Sequence, residues 1–308
     1  FCSRTLGTMT NPELVSPFCP DCLRGKVAIV TGGGSGICYE ITRQLLRHGC
    51  QGAVICGRRE TFLTRASEAL TADSGRTCLY KTCDVRDPDA CAAVVRCALE
   101  NFGRVDIIVN GAAGNFLANA ADLSPKGFKT VMEIDTIGTY NMSHAAYHAL
   151  KSSGGGSIIN ISATLQCPAT WYQVHASAAK AAVDSVTRSL ALEWGSDGIR
   201  VNGIAPGPIE GTPGMTKLSP GIDGEDMNEM VSEGIPLGRM GRGFDIGMAA
   251  VFLSAEGSGS FVTGDVLIVD GGQWLYKPPM IEKDMVADMS RKVENKSRAQ
   301  APTLMSKL

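Results

Sequence analysis

The stretch Val27-Ala28-Ile29-Val30-Thr31-Gly32-Gly33-Gly34-Ser35-Gly36-Ile37 passes from an apolar, β-branched run straight into a glycine cluster. Val27–Val30 reads as a buried strand. A helix is expected at once over Ile37–His48, where Ile37, Ile41 and Leu45 recur every four residues and form one apolar stripe. A glycine-rich turn between strand and helix lets backbone approach a pyrophosphate, whose charge is stabilised by the free N–H groups at the helix N-terminus. Gly32, Gly33, Gly34, Ser35, Gly36 and Ile37 are therefore candidate dinucleotide-binding residues.

The same alternation continues downstream. Further strands are expected at Ala53–Cys56, Cys78–Lys81, Val105–Asn110, Ser157–Ile161, Arg200–Ile204 and Val266–Val269. Helices are expected at Thr61–Ala72, Pro88–Asn101, Lys126–Lys151, Gln173–Trp194 and Phe244–Ser254. Strand and helix in strict alternation imply an α/β fold, a doubly wound Rossmann sheet of seven parallel strands with helices on both faces. This domain is expected over residues 27–272, after an aperiodic N-terminal extension 1–26 and before a polar, Lys-rich tail 273–308. Only Ala205–Gly238 breaks the alternation. With five prolines and seven glycines it reads as a long loop with one short helix around Gly224–Ser232, and loops of that length commonly act as lids.

Composition narrows the partners. A formal net charge of −2 over 308 residues provides no field to attract a nucleic-acid backbone. No apolar run approaches the roughly 18 residues that suggest a membrane span, and no signal-peptide core is visible at the N-terminus. Eleven cysteines, an odd number scattered through the expected elements, argue against a disulfide framework. Cys19 and Cys22 have the spacing of half a zinc site or of a redox motif but no second pair, and His144 and His148 share a helix face without a third ligand, so no metal is expected.

The end of the second strand decides the nucleotide. A protein selective for NAD typically offers a carboxylate to the ribose 2′-hydroxyl there, whereas this chain offers Gly57-Arg58-Arg59. Two guanidinium groups suit a 2′-phosphate, so NADPH is the expected cofactor. Asp84, in Cys83-Asp84-Val85 after the third strand, is placed to meet the adenine edge.

From about Lys26 to Gly272 the chain resembles the short-chain dehydrogenase/reductase family. The motifs are the glycine turn, Asn110-Gly111-Ala112-Ala113-Gly114, Asn160-Ile161-Ser162, Pro206-Gly207-Pro208-Ile209 and Val269-Asp270-Gly271-Gly272, with Cys38 where many members carry a third motif glycine. The resemblance implies cofactor contacts from Val85, Asn110, Lys180, Pro206, Gly207, Pro208, Ile209 and Thr212. The family's catalytic set of Asn, Ser, Tyr and Lys is broken. Lys180 remains, Ala176 stands at the Tyr position, Ala163 at the Ser position and Asp135 at the Asn position. Ketone–alcohol chemistry loses its acid and base by these changes. Tyr172, two turns before Lys180, is a substitute phenol only if the helix extends that far back.

Loss of Tyr with retention of Lys and gain of Asp, together with Ala112-Ala113-Gly114-Asn115-Phe116 and Gln173-Val174-His175-Ala176, resembles the 2,4-dienoyl-CoA reductases of peroxisomes. That resemblance implies reduction of a dienoyl-CoA to a 3-enoyl-CoA with NADPH, a water held by Asp135 and Lys180 supplying the proton. It further implies acyl-CoA contacts from Arg58, Arg86, Phe116, Ser124, Pro125, Lys126 and, by charge alone, Lys217, and a homotetramer built on the helices Lys126–Lys151 and Gln173–Trp194. Ser306-Lys307-Leu308 reads as an address for the peroxisomal import receptor. The alternatives are a 2-enoyl or 3-oxoacyl thioester reductase of the same fold, and a catalytically silent NADPH-binding protein.

Overall fold

The computed structural model describes residues 15–167, 169–218 and 230–300. These fall into two compact units that divide after Trp274. The first is a seven-stranded, all-parallel sheet formed by β1 (Val27–Thr31), β2 (Gly52–Gly57), β3 (Thr77–Thr82), β4 (Ile107–Asn110), β5 (Gly156–Ile161), β6 (Ile199–Pro206) and β7 (Val266–Val269). Its strand order is β3-β2-β1-β4-β5-β6-β7, as expected for a doubly wound sheet. The order reverses between β1 and β4, paired from Ala28 with Ile107 to Thr31 with Asn110. In open α/β sheets such a reversal leaves a crevice at the carboxyl ends of the strands.

Burial explains the apolar strands. β1 and β4 are buried at every position because helices cover both faces. Side chains alternate across the sheet, so Ala28 and Val30 join one core with Ile41, Leu45, Ile55 and Ile246, while Val27 and Ile29 join the other with Val94, Ile108, Met142 and Leu150. Each such aliphatic side chain contributes about 1.5–3 kcal/mol on burial. Truncating Ile108 to Ala would cost about 2–5 kcal/mol, because packed neighbours collapse only partly into the void.

Helices α1 (Gly36–Arg47) and α2 (Glu60–Ser74) follow β1 and β2, and α3 (Pro88–Phe102) follows β3. α3 starts where Asp87 accepts a hydrogen bond from the Asp89 N–H at 2.9 Å, with Pro88 at the first helical position, and it ends at Gly103 in a left-handed conformation. The single helix expected over Lys126–Lys151 is instead three pieces: α4 (Pro125–Met132), a π-helical turn (Glu133–Ile137) and α5 (Gly138–Ser152). The extra residue of a π turn leaves helix continuing on both sides, so apolar periodicity does not reveal it. α6 (Val174–Trp194) precedes β6, and α8 (Gly243–Ser254) packs with α1.

The loop after β6 contains α7 (Pro213–Leu218), a helix not anticipated there, and Gly36 stands close enough that a Cβ on it would meet the Pro213 ring at 3.2 Å. Most of the short helix expected around Gly224–Ser232 lies outside the described residues. Residues 15–26 contribute a buried Leu23, whose N–H bonds to the His48 carbonyl at 2.9 Å, and Cys19 and Cys22 sit in a backbone turn. The second unit contains the helix Lys283–Gln300, with Met285, Met289 and Val293 exposed along one stripe. Ser306-Lys307-Leu308 lies outside the described residues. Among the described residues no helix is long and apolar enough to cross a membrane.

Candidate active site

The glycine turn is built around Thr31. Its hydroxyl accepts from the backbone N–H groups of Gly111 (2.9 Å) and Ala112 (3.0 Å), which ties the end of β1 to the loop after β4. Gly32 has φ of +73°, and a Cβ on it would lie 2.9 Å from the Gly111 carbonyl oxygen. Gly111 in turn makes room for Cys38, since a Cβ there would fall 2.0 Å from the Cys38 Sγ. Burial pushes the Cys38 thiol up to about 12, against a weaker lowering by Lys180, so it acts as a small apolar plug. Ser35 precedes the first turn of α1 without a side-chain cap of its own. The result is a bare backbone cradle at a helix N-terminus, which fits the diphosphate of a dinucleotide.

Arginines crowd the next strand ends. Arg59 precedes α2 and places its guanidinium 4.1 Å from the centre of the Phe62 ring. Asp84 is held by Arg86 through side-chain and backbone hydrogen bonds, and that guanidinium, opposed by some burial, keeps its carboxyl below the usual carboxylate range. Arg58 adds a smaller pull on the same carboxylate. Pro206, Gly207, Pro208, Ile209 and Thr212 follow β6, with the Thr212 hydroxyl donating to the Ile209 carbonyl at 2.9 Å.

Behind the cradle lies a buried polar chain. Asn110 Nδ2 donates to Ser143 Oγ and to Asn160 Oδ1, both at 2.9 Å, and Asn160 donates on to Thr187. The Asn110 Oδ1 is buried with no partner among the described residues. Buried amides rarely stay unpaired without a ligand or an ordered water, so the site is polar enough to hold one.

The π turn holds Asp135, 1% exposed, in a second buried polar group. One carboxylate oxygen accepts from the Gly114 N–H at 2.7 Å and the other meets Lys180 Nζ at 3.0 Å. Lys180 also donates to the Ile161 carbonyl at 2.9 Å. Ala176 is buried one turn earlier on α6 and Ala163 follows Ser162, whose hydroxyl is spent on Asp184. Tyr172 lies outside α6 in a left-handed conformation (φ 61°) and is 56% exposed, because the helix begins only at Val174. The position Ala176 vacates therefore has no phenol supplied along the helix.

On the open side, Phe116 stacks on His175 with ring centres 4.3 Å apart. Ser124 caps α4 by accepting from the Gly127 N–H at 3.1 Å, Pro125 takes the first helical position and Lys126 is exposed. Lys217 belongs to α7. His175 is the feature missed by sequence reasoning, which saw it only as part of a motif. It is fully buried, and among the described residues neither ring nitrogen has a partner in full hydrogen-bond geometry. Among the described residues no group of three or more His, Cys, Asp or Glu side chains is placed to hold a metal.

Residues 32–273 match the model of a family described as enoyl-(acyl carrier protein) reductase. A peroxisomal 2,4-dienoyl-CoA reductase of Arabidopsis thaliana, named as producing (3E)-enoyl-CoA, is 53% identical over 92% of this chain and 96% of its own length. The protein of the same name from Danio rerio is 48% identical over 86% of this chain and 87% of its own length. Among solved structures, a short chain dehydrogenase from Bacillus anthracis superposes with a TM-score of 0.73 at 34% identity, covering 83% of this chain and all of that one.

Proposed function

Since the chain belongs to the short-chain dehydrogenase/reductase family, we propose that it is a peroxisomal 2,4-dienoyl-CoA reductase that takes NADPH and yields a 3-enoyl-CoA. The observation that carries this reading is the ion pair of Asp135 with Lys180 beside Ala176, a constellation that keeps the lysine and lacks the phenol of ketone reduction. Relatives of that name at 46–53% identity support the substrate class and the compartment, and the reading of Ser306-Lys307-Leu308 as an import address agrees with that location.

The cradle Gly32–Ile37 would hold the diphosphate, Arg58 and Arg59 the 2′-phosphate, and Asp84 and Val85 the adenine. Asn110 and Lys180 would meet the nicotinamide end, and Pro206–Ile209 with Thr212 the carboxamide side. Bound there, NADPH would supply a hydride to the far end of the diene. The remaining work belongs to the protein. Negative charge then travels along the conjugated system to the thioester oxygen, where a hydrogen-bond donor is needed, and a proton is needed at carbon. Asp135 and Lys180, paired at 3.0 Å in a buried site, hold and orient the water that delivers this proton. Lys180 keeps a second contact to the Ile161 carbonyl, which fixes its ammonium between the two tasks.

Phe116, Ser124, Pro125 and Lys126 would flank the acyl-CoA entrance, with Arg58, Arg86 and Lys217 opposite its phosphates. Assembly into a tetramer would cover the exposed Ile137 and Tyr140 of the π turn and α5 and Leu192 of α6. The decisive experiment follows NADPH oxidation with a 2,4-dienoyl-CoA, a 2-enoyl-CoA and a 3-oxoacyl-CoA side by side. Turnover of the dienoyl-CoA alone is expected. Preference for either other thioester would make the chain a different acyl reductase, and NADPH binding without turnover of any of them would make it a silent binding protein.

A further inference from the structure

Six buried side-chain nitrogen or oxygen atoms lack a hydrogen-bond partner among the described residues. Five of them, Oδ1 of Asn110, Oδ1 of Asn115, Oε1 of Gln166 and both ring nitrogens of His175, belong to the segments that carry or flank the candidate site. Native structures leave few such groups, and each needs a reason. Among the described residues, only this fully buried ring has two.

The surroundings of His175 narrow the reason. One face of its imidazole stacks on Phe116 at an interplanar angle of 28°. Burial holds its pKa below the ordinary histidine value, despite smaller raising contributions from a backbone hydrogen-bonding approach of Phe116, outside full hydrogen-bond geometry, and from Asp135, and the neutral form this favours carries one donor and one acceptor. Other donors near the site are committed. Lys180 serves Asp135 and the Ile161 carbonyl, Asn115 Nδ2 donates to Gln173 at 2.6 Å, and Ser162 and Gln166 both donate to Asp184. Ala163 and Ala176 offer none.

We propose that the His175 imidazole donates the hydrogen bond that receives the thioester oxygen of an acyl-CoA, taking over at the start of α6 the electrophilic role left open by Ala176. This rests on the acyl-CoA reading above. Phe116, 39% exposed, covers one imidazole face, whereas the N–H donates in the ring plane, so the acyl thioester must reach the edge of the ring as Phe116 shifts to admit it. A neutral N–H in a dry site strengthens as charge develops on that oxygen, so its effect is greater on turnover than on ground-state binding.

Two variants separate donation from stacking. H175F keeps the ring stack on Phe116 and loses the N–H, while H175N keeps an N–H and loses the stack. The binding probes are decanoyl-CoA and its thioether decyl-CoA, which lacks the carbonyl oxygen, titrated into NADP⁺-loaded protein. Wild type is expected to favour the thioester by roughly tenfold, the worth of one hydrogen bond, and H175F to bind both alike. In H175F the kcat for a 2,4-dienoyl-CoA should fall by roughly 10²–10³, as for loss of an oxyanion donor, with NADPH affinity unchanged, and H175N should recover part of it. A full thioester preference and near-normal kcat in H175F, with damage confined to H175N, would assign the ring to stacking and overturn the proposal. Failure of wild type to bind either CoA compound would instead overturn the acyl-CoA reading itself.

Discussion

Replacing Asp135 by Asn separates the two tasks a buried carboxylate can have. The substitution conserves shape, and its carbonyl oxygen can still accept from the Gly114 N–H, now 2.7 Å from Oδ1. What it removes is the charge 3.0 Å from Lys180 Nζ, in a place where the two side chains are 1% and 10% exposed. Removing one partner of a buried pair costs about 3–5 kcal/mol, because the other charge is left uncompensated. Lys180 retains the hydrogen bond to the Ile161 carbonyl, which favours the lower end, about 3 kcal/mol. At about 2–4 °C per kcal/mol for a domain of this size, the midpoint of thermal unfolding should drop by roughly 6–12 °C. D135N/K180M, with both charges gone, should recover a good part of that loss. Turnover should behave differently. The kcat of D135N for a dienoyl-CoA should fall by roughly 10²–10⁴ with NADPH affinity nearly unchanged, and the double variant should stay inactive despite its regained stability. Thermal melts, NADPH titration and steady-state kinetics on the three proteins suffice. A D135N protein that melts early yet keeps near-full turnover would refute the proton-delivery role and leave the carboxylate as a partner for the lysine alone.

Arg58→Ala with Arg59→Ala should erase a preference for NADPH over NADH in fluorescence titrations, since no other described side chain at the end of β2 offers a guanidinium; an undiminished preference would move the 2′-phosphate elsewhere. His175 has a folded pKa depressed by burial, so the unfolded chain binds the proton more readily. Its contribution to stability is therefore complete above the unfolded value near 6.5 and is lost as pH falls below it through the folded pKa. Melting temperatures of wild type should accordingly decline more steeply than those of H175F between about pH 7 and pH 5, and parallel declines would contradict this. Gly111→Ala would push a methyl group against the Cys38 Sγ at 2.0 Å, an overpacking that should cost about 1–3 kcal/mol in denaturant titrations; G111A/C38A should recover most of it.

The fold was legible because its signals are local. Central strands such as Val27–Val30 appear in the sequence as short apolar runs, since a strand covered on both faces favours apolar side chains, and each of the seven strands is found within two residues of its expected ends. The helix at Pro213–Leu218 was not legible, because glycine and proline around it outweigh a single turn and a half of helix. The π turn was hidden for the opposite reason. The apolar pattern runs through Lys126–Lys151 without a break, and one inserted residue rotates a side chain by about a quarter of a turn without altering composition.

By itself, the sequence of this protein determined the doubly wound sheet, the glycine cradle after β1 and the arginines after β2, while the family resemblance marked Ala176, four residues before Lys180, as the place of an absent phenol. These are matters of residue type at a given distance along the chain. Tertiary structure alone decided that Asp135 turns inward to meet Lys180 and the Gly114 N–H, that Tyr172 stays outside α6, and that His175 is sealed against Phe116 with neither nitrogen satisfied. Whether a polar group finds a partner depends on atoms brought together from β4, the π turn and α6, and no spacing within one segment records that.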